Sequence, residues 1–526
     1  MTFTPVQLNS PAKTSSARKG IFSIITVGLQ GGTRTISNWL IARVAGPAIY
    51  GAVANAFSLA SLLHTSWPSS AQLAASKFIA RARGKQDDAE VHAVANHISI
   101  RVLQVTCPLA VVAPVLWMTL YGGTWWEGLC VSAMLITLCT STYARGVHFG
   151  AGQVARGTRV DIVSSVIGIA GTGLLLALGV HNLLLTVPLS LALGAYSLLC
   201  WPWTAHGRPG RGLRSEIDKF VTFSAIGSIA SSGMLYLSQM ITGWFGDAAS
   251  GVYAAAAQLV TPMAMITGAL TAVLYPALAA AHGAGDSEKL RSHTDLTTRG
   301  FVALLVPVFG ALAIASRPLI HLIYELGRGK EGYMEAAVLM PVFCVALLLN
   351  NVATPSVSAV TSGAHRNVRY SMLLSQAGLL TAIVVWVTTV PFLGLFGIAL
   401  GYGAGATLTA LGEAVLLLER SGVDPAVALE ALAGGLAGSR ILEAKGAKVI
   451  DREFSPTFTT RLHAKDMAIV RAAAQDAGCV LPVADRVNEV FAVAIANGLN
   501  EQDHSAVVRV AELLSGTHPT DWSKEP

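Results

Sequence analysis

The sequence predicts an all-α, polytopic membrane protein of about twelve transmembrane helices in two parallel six-helix halves, followed by a small soluble all-α domain. Three observations predict it. Of the 526 residues, 53% are hydrophobic and only 13% are charged, whereas a soluble domain carries about 25% charge; the mean hydropathy is +0.56. Apolar runs recur with the length of a helical span, about 20 residues. Charge is unevenly spread: residues 1–412 hold 25 Lys+Arg and 14 Asp+Glu, and residues 413–526 hold 11 and 16. A basic apolar body thus precedes an acidic tail of ordinary soluble composition.

Residues 1–20 are polar and Ser/Thr-rich, with Lys13, Arg18 and Lys19 directly before the first apolar run, so the first span reads as an uncleaved anchor behind a cytoplasmic segment. The runs lie near 21–43, 46–67, 98–121, 126–147, 159–180 and 183–204 in a first half (21–204). After a cytoplasmic linker (205–218) they resume near 219–245, 249–280, 299–324, 334–355, 370–390 and 392–416 in a second half (219–412). Alternate loops carry the cations: Lys77, Arg81, Arg83 and Lys85; Arg145, Arg156 and Arg159; Arg208, Arg211, Arg214 and Lys219; Lys289 and Arg291; Arg366 and Arg369. The intervening loops have none, apart from Arg43 and the Arg328/Lys330 loop. By the positive-inside rule both termini lie in the cytoplasm, beneath a cytoplasmic membrane.

An internal repeat supports this count. At an offset of 200 residues, Gly46, Gly51, Ala54, Ala56 and Leu59 meet Gly246, Gly251, Ala254, Ala256 and Leu259. Six spans per repeat leave both halves in the same orientation, an arrangement that places a site between parallel halves.

Arg34, midway along the first span in "QGGTRTISNW", is the most costly residue of the body, because a cation at that depth costs roughly 3 kcal/mol on insertion scales. With Gln30 and Asn38 it forms the candidate substrate-binding set, in a stretch made polar and close-packing by Gly31, Gly32 and Thr33. Two readings stand: Arg34 binds an anionic group such as a phosphate, or it pairs structurally with a carbonyl or a neighbouring helix. Gln239, Gln258, Asn350 and Asn351 read first as interhelical glue, and His64 as locally satisfied. No span has a carboxylate near its centre, the nearest being Glu127, Asp161, Asp247 and Glu335 at span ends, so an anionic substrate is favoured over a cationic one. The six cysteines are scattered without a CxxC pair and read as buried apolar side chains; no metal site and no nucleic-acid partner are expected.

The stretch "IARVAGPAIYGAVANAFSLASLL" followed by "AASKFIARARGK" resembles the opening of the polysaccharide transporters, the lipid-linked oligosaccharide flippases of the multidrug/oligosaccharidyl-lipid/polysaccharide (MOP) superfamily, over about residues 20–412. The resemblance implies alternating-access translocation of a lipid-linked glycan, with Arg34 meeting its diphosphate.

The tail (413–526) reads as short helices. One starts at Asp424 and Pro425 and stops at Gly434 and Gly435, and others lie near 457–477, 482–498 and 504–515. It closely resembles the C-terminal domain of the 3-hydroxyisobutyrate dehydrogenases, in which a KDLxxA motif contacts the cofactor and the domain forms dimers. Here that motif is Lys465-Asp466-Met467-Ala468-Ile469-Val470, so the resemblance implies Lys465 as the contact for NAD, with Ser439 and Lys445 beside it on an anion-binding face or as solvated charges. The family's catalytic lysine segment is replaced by the apolar "FGIALGYGAGATLTALGEA". Its glycines Gly401, Gly403 and Gly405 imitate a phosphate loop inside a span. Hydride transfer by this chain alone is therefore not expected, and no cofactor is expected beyond what the tail's resemblance allows. The abrupt join near Leu411 reads as a gene fusion, with the tail as a remnant or as a module for dimerisation or for docking a cytosolic enzyme.

Overall fold

The computed structural model describes residues 16–262, 287–326, 332–361, 365–420, 448, 451–476, 482–507 and 509–510. They are mostly helical, with no strand beyond an isolated bridge between Thr459 and Asp503. The chain divides into two compact units, Met1–Leu417 and Leu418–Pro526.

In the first unit α1 (Ser16–Ala45), α2 (Pro47–Thr65), α3 (Pro68–Gly84), α4 (Asp88–Tyr121), α5 (Trp125–Gly150), α6 (Val154–Ala177) and α7 (Val187–Cys200) build the first half. Local chemistry sets their ends. Asp87 caps α4 by accepting from Glu90 N at 2.9 Å, and α4 stops at Gly122, whose φ of 63° is open to glycine. Thr124 and Glu127 form a capping box on α5. The second half holds α8 (Arg211–Thr242), α9 (helical over the described residues 247–262), α10 (Ser287–Ile314), α11 (Ser316–Ile320) with a π-turn at His321–Glu325, α12 (Ala336–Thr361) and α13 (His365–Arg420). In α13 the last two apolar runs are joined at Gly394, whose φ of 51° breaks the helix after Pro391. The two legs then fold back on each other: Trp386 Nε1 donates to Ile398 O at 2.9 Å, and a Cβ at Gly401 or Gly405 would strike Trp386 or Gly378 O. The "GYGAGA" glycines are thus a helix-packing seam.

Eight helices among the described residues, α4, α5, α6, α7, α8, α10, α12 and α13, are long and apolar enough to cross a membrane. The α1 and α2 helices are not among them, and the far part of the 249–280 run lies outside the described residues. Three readings need correction. Residues 68–84 form α3, which buries Ala71, Ala74, Ala75, Phe78, Ile79 and Ala82 at helical spacing against α4, α5 and α8 and turns its cations outward. The 299–324 run breaks at Ala315 into three pieces. Arg145 is not a loop cation; it sits within α5, because that helix continues to Gly150.

The repeat is visible in the backbone. Gly46 and Gly246, ahead of α2 and α9, share an unusual conformation (φ 91°, ψ 175° and φ 95°, ψ 164°) that strains any residue with a Cβ. Five residues on, Gly51 lies against Asp247 O while Gly251 lies against Pro47 O, so a Cβ at either would collide with the other helix's backbone. These reciprocal contacts are related by the same offset of 200, and they join the halves at one end of the bundle.

The second unit holds α14 (Thr460–Asp476) and α15 (Pro482–Ala496). Its organising residue is buried Asp503, which accepts from Thr457 N and Oγ1 at 3.0 and 2.7 Å and from Ser505 N and Oγ at 3.1 and 2.8 Å. The expected helix at Asp424 and half of 504–515 lie outside the described residues.

Candidate functional site

The α1 helix positions Arg34 about 17 Å, eleven residues at 1.5 Å each, from the end where the halves meet. Its guanidinium carbon lies 3.5 Å from the centroid of Phe57 on α2, close enough for a cation–π contact. Tyr236 of α8 gives it a hydrogen-bonding hydroxyl, and Tyr50 of α2 is its other polar neighbour. Among the described residues no carboxylate pairs with it, and its Nε is buried without a hydrogen-bond partner. Donors of that kind are costly to leave unmade. Arg34 is thus held between the two halves by rings and hydroxyls, which orient it without neutralising it.

Asn38, one turn along, donates from Nδ2 to Gln258 Oε1 on α9 at 3.1 Å, and Gln258 Nε2 donates to Thr35 Oγ1 at 2.9 Å. A matching bridge joins α8 to α2, where Gln239 Nε2 donates to Asn55 Oδ1 at 3.2 Å and Asn55 Nδ2 to Ser250 Oγ at 3.0 Å. Each half therefore sends its first helix across to the second helix of the other. The structure brings Arg34 and Asn38 onto one stretch of α1, with Asn38 engaged between halves; the side chain of Gln30 lies outside the described residues.

The end where the halves meet is also tied by Arg43, whose place outside the loop pattern now has a reason. Its Nη1 and Nη2 donate to Ile323 O at 3.2 Å and Leu326 O at 2.7 Å, carbonyls within and just after the π-turn. Trp39 Nε1 donates to Ile323 O at 3.0 Å, and Tyr333 Oη to Ala42 O at 2.9 Å. Glu325, which sequence reasoning missed, is buried and accepts from Gly332 N and Tyr333 N at 3.1 and 2.8 Å.

A second polar centre was also not foreseen. Arg145 Nη2 of α5 donates to Asp161 Oδ1 of α6 at 2.8 Å, both side chains are buried, and the guanidinium lies 4.6 Å from the ring of Tyr196 on α7. Asp161 is seven residues into α6 rather than at a free end. Neighbouring His148 donates from Nδ1 to Ala144 O at 2.9 Å, and its buried Nε2 has no partner among the described residues. The pair joins residues 16 apart on two helices, a register that apolar periodicity does not reveal.

In the tail unit Lys465 is exposed on α14 with Asp466 at 4.0 Å, while Ser439 and Lys445 lie outside the described residues. The described residues of this unit hold no parallel sheet, and its resemblance to hydroxyacid dehydrogenases leaves NAD binding possible. Among the described residues no group of three His, Cys, Asp or Glu side chains could hold a metal ion.

The fold is similar to that of solved MATE family transporters. A multidrug resistance MATE family transporter of the MOP superfamily in an inward-facing conformation superposes with a TM-score of 0.62 at 15% identity, over 74% of this chain and 94% of that one. An outward-facing MATE structure gives 0.56 at 15% identity, over 79% and 97%. A MOP superfamily transporter from Pyrococcus furiosus gives 0.58 at 16%, over 79% and 98%. At these identities the likeness is one of fold, and with the apolar helices it makes this chain a multi-pass membrane protein.

Two family matches add to the fold. Residues 152–326 match the polysaccharide biosynthesis proteins, and residues 401–511 match the NAD-binding domain of NADP-dependent 3-hydroxyisobutyrate dehydrogenase. The second match begins inside the last leg of α13. The chain is 39% identical over 108 residues to 2-hydroxy-3-oxopropionate reductase of Escherichia coli (strain K12), covering 20% of this chain and 37% of that protein. It is 27% identical over 174 residues to a probable mitochondrial 3-hydroxyisobutyrate dehydrogenase-like protein of Arabidopsis thaliana, covering 31% and 57%. The chain thus spans between about a third and a little over half of these relatives. Both resemblances read from the sequence, to polysaccharide transporters and to the dehydrogenase C-terminal domain, stand.

Proposed function

We propose that this chain moves a lipid-linked, anionic oligosaccharide or polysaccharide precursor across the cytoplasmic membrane by alternating access between two parallel six-helix halves. The observation that carries the reading is Arg34, an oriented and unneutralised cation between the halves, in a chain that matches the polysaccharide biosynthesis proteins. A guanidinium suits phosphate oxygens because its fork of donors binds two at once. Twelve spans with both termini in the cytoplasm put the Gly51–Gly251 end outside, so the conformation is closed outward.

Complementation of a flippase-deficient strain tests the reading. Arg34→Ala should abolish it at normal expression and thermal stability, and Arg34→Lys should restore part. Full complementation by a well-expressed Arg34→Ala protein would remove Arg34 from the site.

For the tail, we infer a dimerisation or docking module rather than an enzyme, supported by the exposed Lys465 and the missing catalytic-lysine segment. Full-length protein should show no NAD-dependent oxidation of 3-hydroxy acids. Turnover lost on Lys465→Ala would instead establish a dehydrogenase.

A further inference from the structure

Where α4 and α8 enter the apolar layer, a cavity of about 640 Å³ opens between them. On α8, Arg211, Arg214 and Asp218 recur at offsets of three and seven residues, and on α4 His97 and Arg101 are four apart, so each helix turns one face to this space. Arg208 and Lys219 also line it, together with Ile100, Gln104 and Ser215. The cavity therefore holds five Arg or Lys side chains and one carboxylate. Asp218 is already shared, accepting from Arg101 at 2.7 Å and facing His97 Nε2 at 3.0 Å. Among the described residues Arg208, Arg211, Arg214 and Lys219 have no carboxylate partner, and the buried Arg214 Nε has no hydrogen-bond partner.

Solvated interfacial cations are the ordinary alternative, and they separate from one another because like charges repel. Here four converge on one cavity at the start of α8, where Gly210 offers no side-chain cap to the first-turn amides. Those free N–H groups add the positive end of a 32-residue helix to the same space. A Cβ at Gly210 or Gly212 would meet nothing, so the approach is open. Beyond the cations, Leu103 on α4 and Ile226 on α8 are exposed hydrophobic side chains, at 42% and 38%. In a membrane protein those side chains face acyl chains. The occupant must therefore be an anion carrying an apolar body.

We propose that this cavity binds the phosphate headgroup of an acidic bilayer phospholipid, with its acyl chains lying along α4 and α8. Basic recesses between transmembrane helices recognise such headgroups through summed charge, and the volume lies within the range of small-ligand pockets. The site is separate from Arg34 and does not depend on what the chain transports.

The test uses full-length protein in dodecylmaltoside micelles doped with phosphatidylglycerol or with phosphatidylcholine, followed by thermal unfolding and by native mass spectrometry of retained lipid. Phosphatidylglycerol should be retained and should raise the unfolding temperature, and phosphatidylcholine should do neither. Each cation removed should weaken phosphatidylglycerol about fivefold, so Arg208→Gln/Arg211→Gln/Lys219→Gln should weaken it about 100-fold. Arg208→Lys/Arg211→Lys should retain it, and so should Arg299→Gln, which removes an exposed cation elsewhere. Glycerol 3-phosphate, the headgroup without chains, should compete only at concentrations at least about 100-fold higher. Undiminished lipid retention in the triple variant, an equal loss in Arg299→Gln, or equal competition by glycerol 3-phosphate would overturn the proposal.

Discussion

The two halves share a backbone pattern but not an interior. In the first half the core accommodates Arg34, Arg145, Asp161 and His148 beside its apolar contacts. In the second half the described core is built on Tyr253, Phe309, Phe343 and Tyr402, and its only buried charge is Glu325 near the end of the bundle. The clearest exchange is at the repeat offset: where α1 carries Arg34, α8 carries Met234, 2% exposed. The same helical scaffold therefore folds with or without a cation at that place. This separates what the repeat needs in order to pack from what one copy of it has been given for another purpose.

The largest expected effect lies where the first half buries opposite charges. Removing one partner of a buried pair leaves the other uncompensated, so Asp161→Ala should destabilise by about 3–5 kcal/mol. Arg145→Met/Asp161→Leu, which gives the first half an uncharged interior like the second, should recover most of that loss. Denaturant titration in micelles of the two variants decides it. A double variant as unstable as the single one would mean that the pair carries something beyond its own neutralisation.

Next comes the contact that the two halves make equally. Gly51→Leu and Gly251→Leu each drive a side chain into the other helix's backbone, and overpacking of this kind costs about 1–3 kcal/mol. Because the contact is reciprocal, the two variants should be alike. Both should raise the labelling of an Asp247→Cys probe by an impermeant maleimide as that end opens. Unequal effects would break the pseudo-symmetry.

The Arg43 tie belongs to only one half and is partly exposed. Arg43→Ala should cost about 1 kcal/mol through its two hydrogen bonds to Ile323 and Leu326. It should favour the same opening, read by the same maleimide probe.

Much of this comparison was legible in the sequence, for identifiable physical reasons. Gly46 and Gly246 announced the repeat because only glycine tolerates their φ, and Gly51 and Gly251 because only glycine lets two backbones meet. The tail's resemblance was legible because its wording is long and specific. The α3 helix was not, since Ala71, Ala74, Ala75 and Ala82 bury well but carry a weak hydropathy signal between cations. Arg145 was misread because a basic residue near a span end looks alike whether it faces water or a carboxylate. Its partner on the next helix is a fact of packing. Glu325 was missed because its role is to receive the backbone amides of a break that no periodicity foretold.

The smallest expected effect on stability is the most informative about function. Arg34→Met places in α1 the side chain that α8 already carries at the matching position. Methionine fills irregular space without leaving an orphaned donor. The substitution forfeits the contact with Phe57 and the hydrogen bond with Tyr236, and it also removes a desolvated cation, so the two changes oppose each other. The net should fall within about 1 kcal/mol, as for volume-conserving changes in a core. If Arg34 were instead a structural cation like Arg145, its loss would cost several times as much and would resemble Asp161→Ala. Thermal unfolding of Arg34→Met beside Asp161→Ala, in the same micelles, therefore separates the two kinds of buried charge. A large destabilisation by Arg34→Met would assign Arg34 to the scaffold and leave the anionic substrate without its receptor.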